Sequence, residues 1–303
     1  MLTAVDDVCL NLARGETLGI AGESGCGKST LGKILAGLIQ PDHGEVQYQG
    51  SPLVSLSPLD YSTFRRTTQM IFQDPFSSLN PRMRIGDIIA EPLIISGSPA
   101  SDITTSVAAL MKTVGLNPEL AHRFPDEFSG GQRQRIGIAR ALAAAPQILI
   151  ADEPVSSLDI SIQAQIINLL QEMKNNFDLS LIMISHNLSV LRHMCDRVMI
   201  MYLGKIVEIA PATELFRQCL HPYTEALIAA IPSISTTTRN TAVILTDDLP
   251  SPLAIPSGCR FHPRCRYAEE ICKIQIPLLI EQTDGHFSAC HFATTIFHST
   301  NEA

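Results

Sequence analysis

Residues 22–30 read Gly22-Glu23-Ser24-Gly25-Cys26-Gly27-Lys28-Ser29-Thr30 and match the phosphate-loop pattern G-x-x-x-x-G-K-[ST]. The apolar run Thr17–Ala21 precedes this stretch, and Lys28–Ile39 follows it with leucines on one face, so it joins a predicted strand to a predicted helix. Glycines let backbone N–H groups turn toward phosphate oxygens, while Lys28 adds a positive charge and Ser29 a hydroxyl for Mg²⁺. The stretch therefore predicts a nucleotide-binding α/β domain; the alternative is an ordinary glycine-rich turn with a surface lysine.

Apolar strand-like runs alternate with helical patterns on either side of this loop. The further predicted strands are Thr68–Phe72, Gln147–Ala151, Ser180–Ile184 and Arg197–Met201, and Ser161–Phe177 has helical periodicity. This alternation predicts an α/β fold with a mostly parallel sheet. Two β-rich runs within Val198–Ile209 flank Leu203-Gly204, which predicts a hairpin and so an antiparallel portion.

Changes in residue composition and in the apolar pattern divide the chain into three regions. Residues 82–145 are rich in helical pattern and interrupt the strand series, which predicts an inserted helical subdomain within a nucleotide-binding domain of residues 1–230. Thr236–Thr238 and three prolines, Pro250, Pro252 and Pro256, mark a linker at 231–257. A small cysteine-rich extension at 258–303 follows.

The composition excludes several classes of protein. Of the 303 residues, 45% are hydrophobic and 17% charged, so a disordered chain is not expected. The net charge of −8 argues against a general nucleic-acid-binding protein, which needs a basic surface. The apolar runs fall short of the ~20 residues that span a bilayer, and no basic segment precedes an apolar one at the N-terminus. We therefore expect no transmembrane helix, no signal peptide and a cytoplasmic location.

Two carboxylates end one of the predicted strands. Asp152 and Glu153 follow the apolar residues Ile148–Ala151. A carboxylate pair at a strand end is often only a solvated terminus. With a phosphate loop upstream, the pair is typical of nucleotide hydrolases, in which the first carboxylate lies near Mg²⁺ and the second polarises an attacking water.

Further motifs lie at the ends of predicted elements. In chain order they are Gln73 after a β-like run, Phe128-Ser129-Gly130-Gly131-Gln132 before a helix, Ser157-Leu158-Asp159 after Glu153, and His186 after Ser180–Ile184. A Ser-Gly-Gly stretch alone would indicate only a helix start, because Ser is a good N-cap. Together with the phosphate loop, however, the ordered set resembles the ATP-binding cassette (ABC) ATPase family over roughly residues 5–230.

The resemblance implies a dimer with two ATP molecules at its interface, each between the phosphate loop of one subunit and Ser129–Gln132 of the other. The ATP-binding residues that it implies are Gly22, Glu23, Ser24, Gly25, Cys26, Gly27, Lys28, Ser29, Thr30, Ser129, Gly130, Gly131 and Gln132. The catalytic residues that it implies are Glu153, His186, Gln73 and Asp159, and the Mg²⁺ ligands are Ser29, Gln73 and Asp152.

Four stretches narrow the resemblance to one group of transporters. Phe72–Pro81, Glu127–Ile136 and His221–Thr224 resemble the peptide and nickel importers, most closely the F-type ATPase of dipeptide and oligopeptide permeases, and Gly258–Cys265 is similar to the C-terminal extension of that group. The implied partners are two transmembrane permease subunits, a second ABC ATPase subunit or another copy of this chain, and a substrate-binding protein, with no nucleic acid. The implied location is peripheral, on the cytoplasmic face of the inner membrane.

Several alternatives stay open. An ATPase of this type does not touch the transported solute, so di- and oligopeptides, nickel and another small solute all remain candidates. A soluble ABC protein acting on nucleic acid or ribosomes is less favoured, because such proteins usually carry two cassettes or long coiled-coil inserts. A purely regulatory subunit is disfavoured by the complete set of Lys28, Ser129, Glu153 and His186.

The chain departs from the family upstream of the phosphate loop, where an aromatic side chain normally stacks on adenine. Only 21 residues precede Gly22, and none of them is Phe, Tyr, Trp or His. Either the true start lies upstream of Met1 or the protein is naturally short. Because base stacking is worth ~1–3 kcal/mol, the missing aromatic predicts an ATP affinity lower by roughly 5- to over 100-fold.

The cysteines concentrate at the C-terminal end. Cytoplasmic cysteines are expected to be reduced, metal-bound or catalytic, and Cys259, Cys265, Cys272 and Cys290 have the spacing C-x5-C-x6-C-x17-C. Four thiolates suit an iron–sulfur cluster of the [4Fe–4S] type or Zn²⁺, although zinc sites favour closer pairs. Four reduced cysteines packed as small apolar residues, or a disulfide pair in a purified sample, are the third alternative. Three nearby histidines could replace a thiolate: His262, His286 and His291. A cluster here is expected to stabilise the tail without affecting ATP chemistry.

Overall fold

The computed structural model describes residues 3–231, 250–251 and 253–298. Its strands are β1 (Thr17–Ala21), β2 (Gln47–Tyr48), β3 (Ser51–Pro52), β4 (Thr68–Ile71), β5 (Ile148–Asp152), β6 (Ser180–Ile184), β7 (Arg197–Tyr202), β8 (Lys205–Pro211), β9 (Ile280–Thr283) and β10 (His286–Ser288). Its helices are α1 (Lys28–Leu35), α2 (Pro58–Thr67), α3 (Pro75–Ser78), α4 (Ile85–Ile95), α5 (Ala100–Thr113), α6 (Gly130–Ala143), α7 (Ile160–Phe177), α8 (Leu188–Met194), α9 (Ala212–Arg217), α10 (Pro222–Ala229), α11 (Glu270–Ile274) and α12 (Ala293–His298).

The described residues form two compact units. The first unit comprises those of Met1–Leu12, Thr17–Leu31 and Ser185–Ala303, and the second comprises Ala13–Glu16 and Gly32–Ile184. The phosphate loop and the cysteine-rich tail thus belong to the same unit. Of the predicted linker, residues 232–249 and 252, which include Thr236–Thr238 and Pro252, lie outside the described residues.

The first unit contains a mixed sheet with the order β1-β7-β8-β10-β9. Strand β1 pairs in parallel with β7, whereas β7 with β8, β8 with β10 and β10 with β9 are antiparallel. Leu203 and Gly204 connect β7 to β8 with φ of 45° and 85°. Both values are positive, as a two-residue type I′ turn requires. The predicted hairpin is therefore confirmed, and the tail adds two strands that the sequence pattern did not predict.

The second unit contains the parallel strands β4, β5 and β6, in that order. Every residue of β6 is buried, as expected for a strand with both faces covered. Between β4 and β5, residues 72–147 form helices α3 to α6 and no strand. Helix α7 packs with Ile166, Leu169, Leu170 and Met173 buried, as its periodicity predicted. Gln73 and Asp152 lie at the carboxyl ends of β4 and β5, the edge at which α/β sheets bind ligands.

Helix α1 is shorter than predicted, and the tail contains a hairpin that was not predicted. Helix α1 ends at Leu35 rather than Ile39, because the chain turns at Gly37, whose φ is 66° and whose position lets the Leu38 N–H donate to the carbonyl of Lys33 at 2.9 Å. In the tail, Asp284-Gly285 connects β9 to β10, and this Asp-Gly pair is a common hairpin signal in sequences.

No helix among the described residues is both long enough and apolar enough to cross a membrane.

Candidate active site

The phosphate loop curls around the ammonium of its own lysine. Lys28 is buried, and its Nζ donates to the carbonyls of Gly22 at 2.7 Å and Glu23 at 2.8 Å. Both partners are carbonyl oxygens, which hold the ammonium in place without neutralising its charge. Gly27 has a φ of 107°, and a Cβ there would lie 2.0 Å from the carbonyl oxygen of Ala4, so no other residue fits. The loop therefore presents a fixed positive charge.

The remaining loop residues differ in exposure. Ser24 and Gly25 are exposed, whereas Ser29 and Thr30 are half-buried in the first turn of α1. Cys26 is buried, and burial raises the pKa of its thiol, so this cysteine stays protonated near neutral pH. The exposed residues leave the outer side of the loop open to solvent, and the hydroxyl of Ser29 is an oxygen donor of the kind that Mg²⁺ prefers.

Gln73 and Glu153, which the sequence places 80 positions apart, meet in the second unit. The Nε2 of Gln73 donates to the Oε2 of Glu153 at 3.0 Å. Asp152 is buried as the last residue of β5, and the Glu153 N–H donates to the carbonyl of Ile184 at 2.9 Å. Glu153 has a φ of 43°, a strained conformation for a residue with a Cβ. Such strain is typical of functional positions, and here it accompanies two adjacent carboxylates with different environments.

The Ser129–Gln132 motif starts helix α6 with a reciprocal cap. The Ser129 N–H donates to Gln132 Oε1 at 3.0 Å, and the Gln132 N–H donates to Ser129 Oγ at 3.4 Å. A Cβ on Gly131 would lie 2.5 Å from Cγ2 of Ile162 in the first turn of α7, so a glycine is needed for this close packing. The motif therefore lies close to the start of α7. Asp159 is the residue that directly precedes this helix.

The arginines of α6 bind carbonyl oxygens of the helical segment. Arg133 donates to Pro125 at 2.6 Å and its guanidinium lies 3.9 Å from the ring centre of Phe76, while Arg140 donates to Ser78 at 2.7 Å. Burial lowers the pKa of Arg140. These arginines hold the residues after Gln73 against α6 rather than serving as an anion site.

Asp159 and His186 lie at the starts of helices. Asp159 is exposed and is the N-cap of α7, where its carbonyl accepts from the N–H groups of Ile162 and Gln163 at 2.9 Å. His186 is exposed and lies between β6 and Asn187, the N-cap of α8. His186 belongs to the first unit, as does Lys28, while Asp159 belongs to the second.

The four tail cysteines line one pocket in the first unit. The cavity is small, about 10 Å³, and its walls are His221, Pro222, Cys259, Phe261, His262, Cys265, Tyr267, Cys272, Cys290, His291 and Phe292. All eight cysteines of the chain are free thiols. Among the residues that the structure describes, no three His, Cys, Asp or Glu side chains are grouped closely enough to hold one metal ion.

The environment of the tail cysteines is apolar. Burial raises the pKa of Cys265 to about 11 and that of Cys290 to about 12, and it also raises the pKa of Cys259. These thiols are therefore protonated near neutral pH, and a metal that bound them would release protons.

The histidines near the pocket have other partners. His286 does not line the pocket; its Nε2 lies 2.7 Å from Oε1 of the fully buried Glu208. The Nδ1 of His262 and the Nε2 of His291 lie 2.9 Å and 3.0 Å from backbone carbonyls. Burial lowers the pKa of His221 to about 3, so its imidazole is neutral. Of the three histidines considered as ligands, His262 and His291 line the pocket and His286 does not.

Two regions of this chain match models of known protein families. Residues 5–156 match the family model described as ABC transporter, and residues 207–272 match the model described as Oligopeptide/dipeptide transporter, C-terminal region. The chain belongs to the ABC transporter family. The prediction made from the motif set is thereby confirmed.

Relatives of this ABC protein match it over most of its length. It is 50% identical to the oligopeptide transport ATP-binding protein OppF of Haemophilus influenzae, over 95% of this chain and 88% of that protein. It is 49% identical to the oligopeptide transport ATP-binding protein AppF of Bacillus subtilis, over 95% of this chain and 89% of that protein. A probable peptide ABC transporter ATP-binding protein of Sinorhizobium fredii is 48% identical, over 96% of this chain and 83% of that protein.

Solved ABC structures share the fold. The ATP-binding cassette MJ0796, a dimer in a post-hydrolysis state bound to ADP and Pi, has a TM-score of 0.63 and 29% identity over 69% of this chain and 90% of that chain. CbiO1 of Clostridium perfringens, part of an ABC transporter complex, has a TM-score of 0.64 and 28% identity over 71% of this chain and 84% of that chain. The predicted fold class is confirmed, and this ABC protein is an ATPase.

Proposed function

We propose that this ABC ATPase drives the uptake of di- and oligopeptides through a membrane importer. The observation that carries the proposal is the pair of family matches, since an ABC core at 5–156 is followed at 207–272 by the C-terminal region described for oligopeptide and dipeptide transporters. The peptide and oligopeptide names of the relatives support the same solute class. Nickel or another small solute is the alternative.

The phosphate loop binds the triphosphate of ATP in this proposal. The ammonium of Lys28 holds the β- and γ-phosphates, and the backbone N–H groups from Gly22 to Thr30 surround their oxygens. The fixed position of Lys28 between two carbonyl oxygens supports this role, because little reorganisation is needed when the anion arrives.

Ser29, Gln73 and Asp152 would hold Mg²⁺. All three offer oxygen atoms, the donors that Mg²⁺ prefers, and Asp152 adds the negative charge. Bound Mg²⁺ neutralises charge on the β- and γ-phosphates. His186 contacts the γ-phosphate, and Asp159 links the two ATP sites of a dimer in which Ser129–Gln132 of one subunit faces the phosphate loop of the other.

Glu153 is the general base. Its carboxylate takes up the proton of the attacking water, and Gln73 orients the carboxylate through the 3.0 Å hydrogen bond. This contact supports the pairing, because a general base works only when its lone pair is aimed at the water. ATP binding closes the dimer and hydrolysis opens it again, which is the motion that the importer uses.

The partners follow from the importer architecture. The chain works with two transmembrane permease subunits, with a second ABC ATPase or another copy of itself, and with a substrate-binding protein. It lies peripherally on the cytoplasmic face of the inner membrane. Phe76, which is 58% exposed beside Gln73, offers an apolar contact for a permease helix.

Peptide uptake tests the proposal directly. In cells that lack this chain but retain its permeases and binding protein, uptake of a radiolabelled tripeptide is expected to be lost, and the wild-type chain should restore it. The Glu153→Gln variant should fail to restore uptake, whereas Glu172→Gln, the same change at an exposed position of α7, should succeed.

Two results would contradict the peptide importer. Restored uptake of radioactive nickel with no change in peptide uptake would favour the nickel alternative. Co-purification with ribosomes or DNA, with none of the chain in the membrane fraction, would favour a soluble ABC protein.

We further propose that the pocket lined by Cys259, Cys265, Cys272 and Cys290 holds an iron–sulfur cluster of the [4Fe–4S] type. A single zinc ion needs four donors each about 2.3 Å away, and among the described residues no such group of three is present. The four cysteines line one pocket, and four thiolates are the ligand set of such a cluster. Its role is structural, in holding the tail segments together.

Metal analysis distinguishes the three alternatives for the tail. Anaerobically purified protein is expected to contain about four iron and about four sulfide per chain. Cys272→Ser should lower the iron content and the stability of the tail, whereas Cys9→Ser, at an exposed cysteine outside the pocket, should leave both unchanged. About one zinc per chain would favour zinc, and metal-free protein with a stable Cys272→Ser variant would leave four packed thiols.

A further inference from the structure

A residue of the cysteine-rich tail pairs with the phosphate loop. Arg264, which directly precedes Cys265, donates from NH1 to Oε2 of Glu23 at 2.6 Å and from NH2 to Oε1 at 3.0 Å. The two residues are 241 positions apart in the chain. A guanidinium that donates two parallel hydrogen bonds to one carboxylate fixes both distance and orientation. Glu23 is therefore held by the tail.

This pair is shielded from solvent. The side chain of Arg264 is 4% exposed and that of Glu23 26% exposed. Among the described residues, the buried Nε of Arg264 has no hydrogen-bond partner. The guanidinium thus depends on Glu23 for its charge compensation, and removal of either partner would leave a charge poorly compensated.

A second contact links the same loop residue to the tail indirectly, through Tyr223 of α10. The Glu23 N–H donates to the hydroxyl of Tyr223 at 2.8 Å. The ring of Tyr223 lies 5.4 Å from that of Phe261, which stands between Cys259 and Arg264, and both rings are fully buried. The backbone and the carboxylate of Glu23 are therefore positioned by two routes that end in the segment 259–265.

The ion pair with Arg264 offsets the negative charge of Glu23 within the phosphate loop. A carboxylate within a loop that must bind a triphosphate repels the ligand, and the repulsion is strong where water is partly excluded. Lys28 cannot compensate both charges, because its ammonium is directed at loop carbonyls and serves the phosphates. A second positive charge, held on Glu23, removes the repulsion.

We propose that Arg264 is a positioning residue for ATP: by neutralising Glu23 and fixing it in place, the C-terminal tail sets the affinity of the phosphate loop for nucleotide. The proposal rests on the proposed function of residues 22–30 as the triphosphate site. It makes the cysteine-rich tail a contributor to nucleotide binding, not only a folded appendage.

Arg266 provides a matched control in the same segment. It donates from NH2 to Oε1 of Glu225 at 2.6 Å, but its side chain is 47% exposed and its partner lies outside the phosphate loop. An effect of general damage to the tail would follow from changes at Arg264 and Arg266 alike. An effect on the charge of Glu23 follows only from Arg264.

A double-mutant cycle on the full chain tests the proposal. The Kd for Mg-ATP is measured by titration calorimetry for the wild type, Arg264→Gln, Glu23→Gln and the double variant. Arg264→Gln is expected to raise Kd about tenfold, because Glu23 keeps an uncompensated negative charge, whereas Glu23→Gln should lower Kd about threefold, because the positive charge of Arg264 is then no longer offset. The double variant should return to within about threefold of the wild type, and Arg266→Gln should be unchanged.

Two further measurements separate charge from structure. The deficit of Arg264→Gln should shrink in high salt, because salt screens the repulsion between Glu23 and the phosphates. Arg264→Lys keeps the charge but loses the two-pronged contact, so its Kd should rise only about two- to threefold. This variant and the double variant keep the test decisive if Arg264→Gln does not fold.

Different results would contradict the role of Arg264 and the proposed function of the phosphate loop. Wild-type affinity in Arg264→Gln, or equally weak binding by Arg264→Gln and the double variant, would overturn the role of Arg264 while leaving the ATPase assignment of the loop intact. A wild-type chain that binds no nucleotide would instead overturn the proposed function of residues 22–30 together with this inference.

Discussion

Glu153→Gln is expected to abolish ATP turnover while leaving ATP binding intact. The amide has the shape of the carboxylate and its oxygen can accept the hydrogen bond that Gln73 donates to Oε2 at 3.0 Å, so the local geometry is kept. The amide cannot take a proton from water, however, and positioned general bases contribute about 10²–10⁴-fold to rates. Steady-state ATPase activity of the assembled complex should fall by that factor, with Kd for ATP within about twofold of the wild type.

The same variant should accumulate the ATP-bound dimer, because opening follows hydrolysis. Gel filtration with ATP and Mg²⁺ is expected to show a larger particle for Glu153→Gln than for the wild type. Glu172→Gln, at an exposed position of α7, is the control and should resemble the wild type in both measurements. Near-normal hydrolysis by Glu153→Gln in an assembled complex would exclude Glu153 as the base.

Lys28→Ala is expected to weaken nucleotide binding itself. The change removes a buried positive charge that meets the β- and γ-phosphates in the ground state, and hydrogen bonds to charged groups are worth about 1.5–3 kcal/mol. The Kd for ATP should therefore rise about 10- to 100-fold. The measurement is titration of the purified chain with ATP, and hydrolysis at subsaturating ATP should fall in parallel.

A structural effect of this change can be separated from the loss of affinity. Lys28→Ala also deprives the carbonyls of Gly22 and Glu23 of a donor, so thermal unfolding without nucleotide measures the cost to the fold. Lys33→Ala removes a half-buried lysine five residues further along α1 and should retain full affinity. If ATP bound equally well to Lys28→Ala and to Lys33→Ala, Lys28 would have no role in phosphate binding.

The local parts of the molecule were predictable because their causes are local. The strands β1 and β6 lie where their apolar runs placed them, and the I′ turn at Leu203-Gly204 lies where turn chemistry predicted it. The phosphate loop was predictable because its glycines and Lys28 are consecutive. For each of these, a few neighbouring residues fix the backbone, and distant parts of the chain change little.

That Gln73 and Glu153 belong to one site was predictable only through the family resemblance. The sequence places each side chain after a strand, and parallel strands end at one edge of a sheet, but the spacing alone does not specify a 3.0 Å contact. The helical cap at Ser129 was visible in the sequence, whereas the need for Gly131 was not, because it arises from the approach of Ile162.

The tail shows what only the tertiary structure decided. The spacing of its cysteines indicated a possible metal group, but their convergence on one pocket depends on how segments 259–272 and 290–292 fold together. Likewise, the sequence alone led to a tail independent of ATP chemistry, while the fold brings Arg264 onto Glu23 from 241 positions away. No local pattern encodes such a contact, because its energy comes from an ion pair that exists only after the chain has brought both partners out of water.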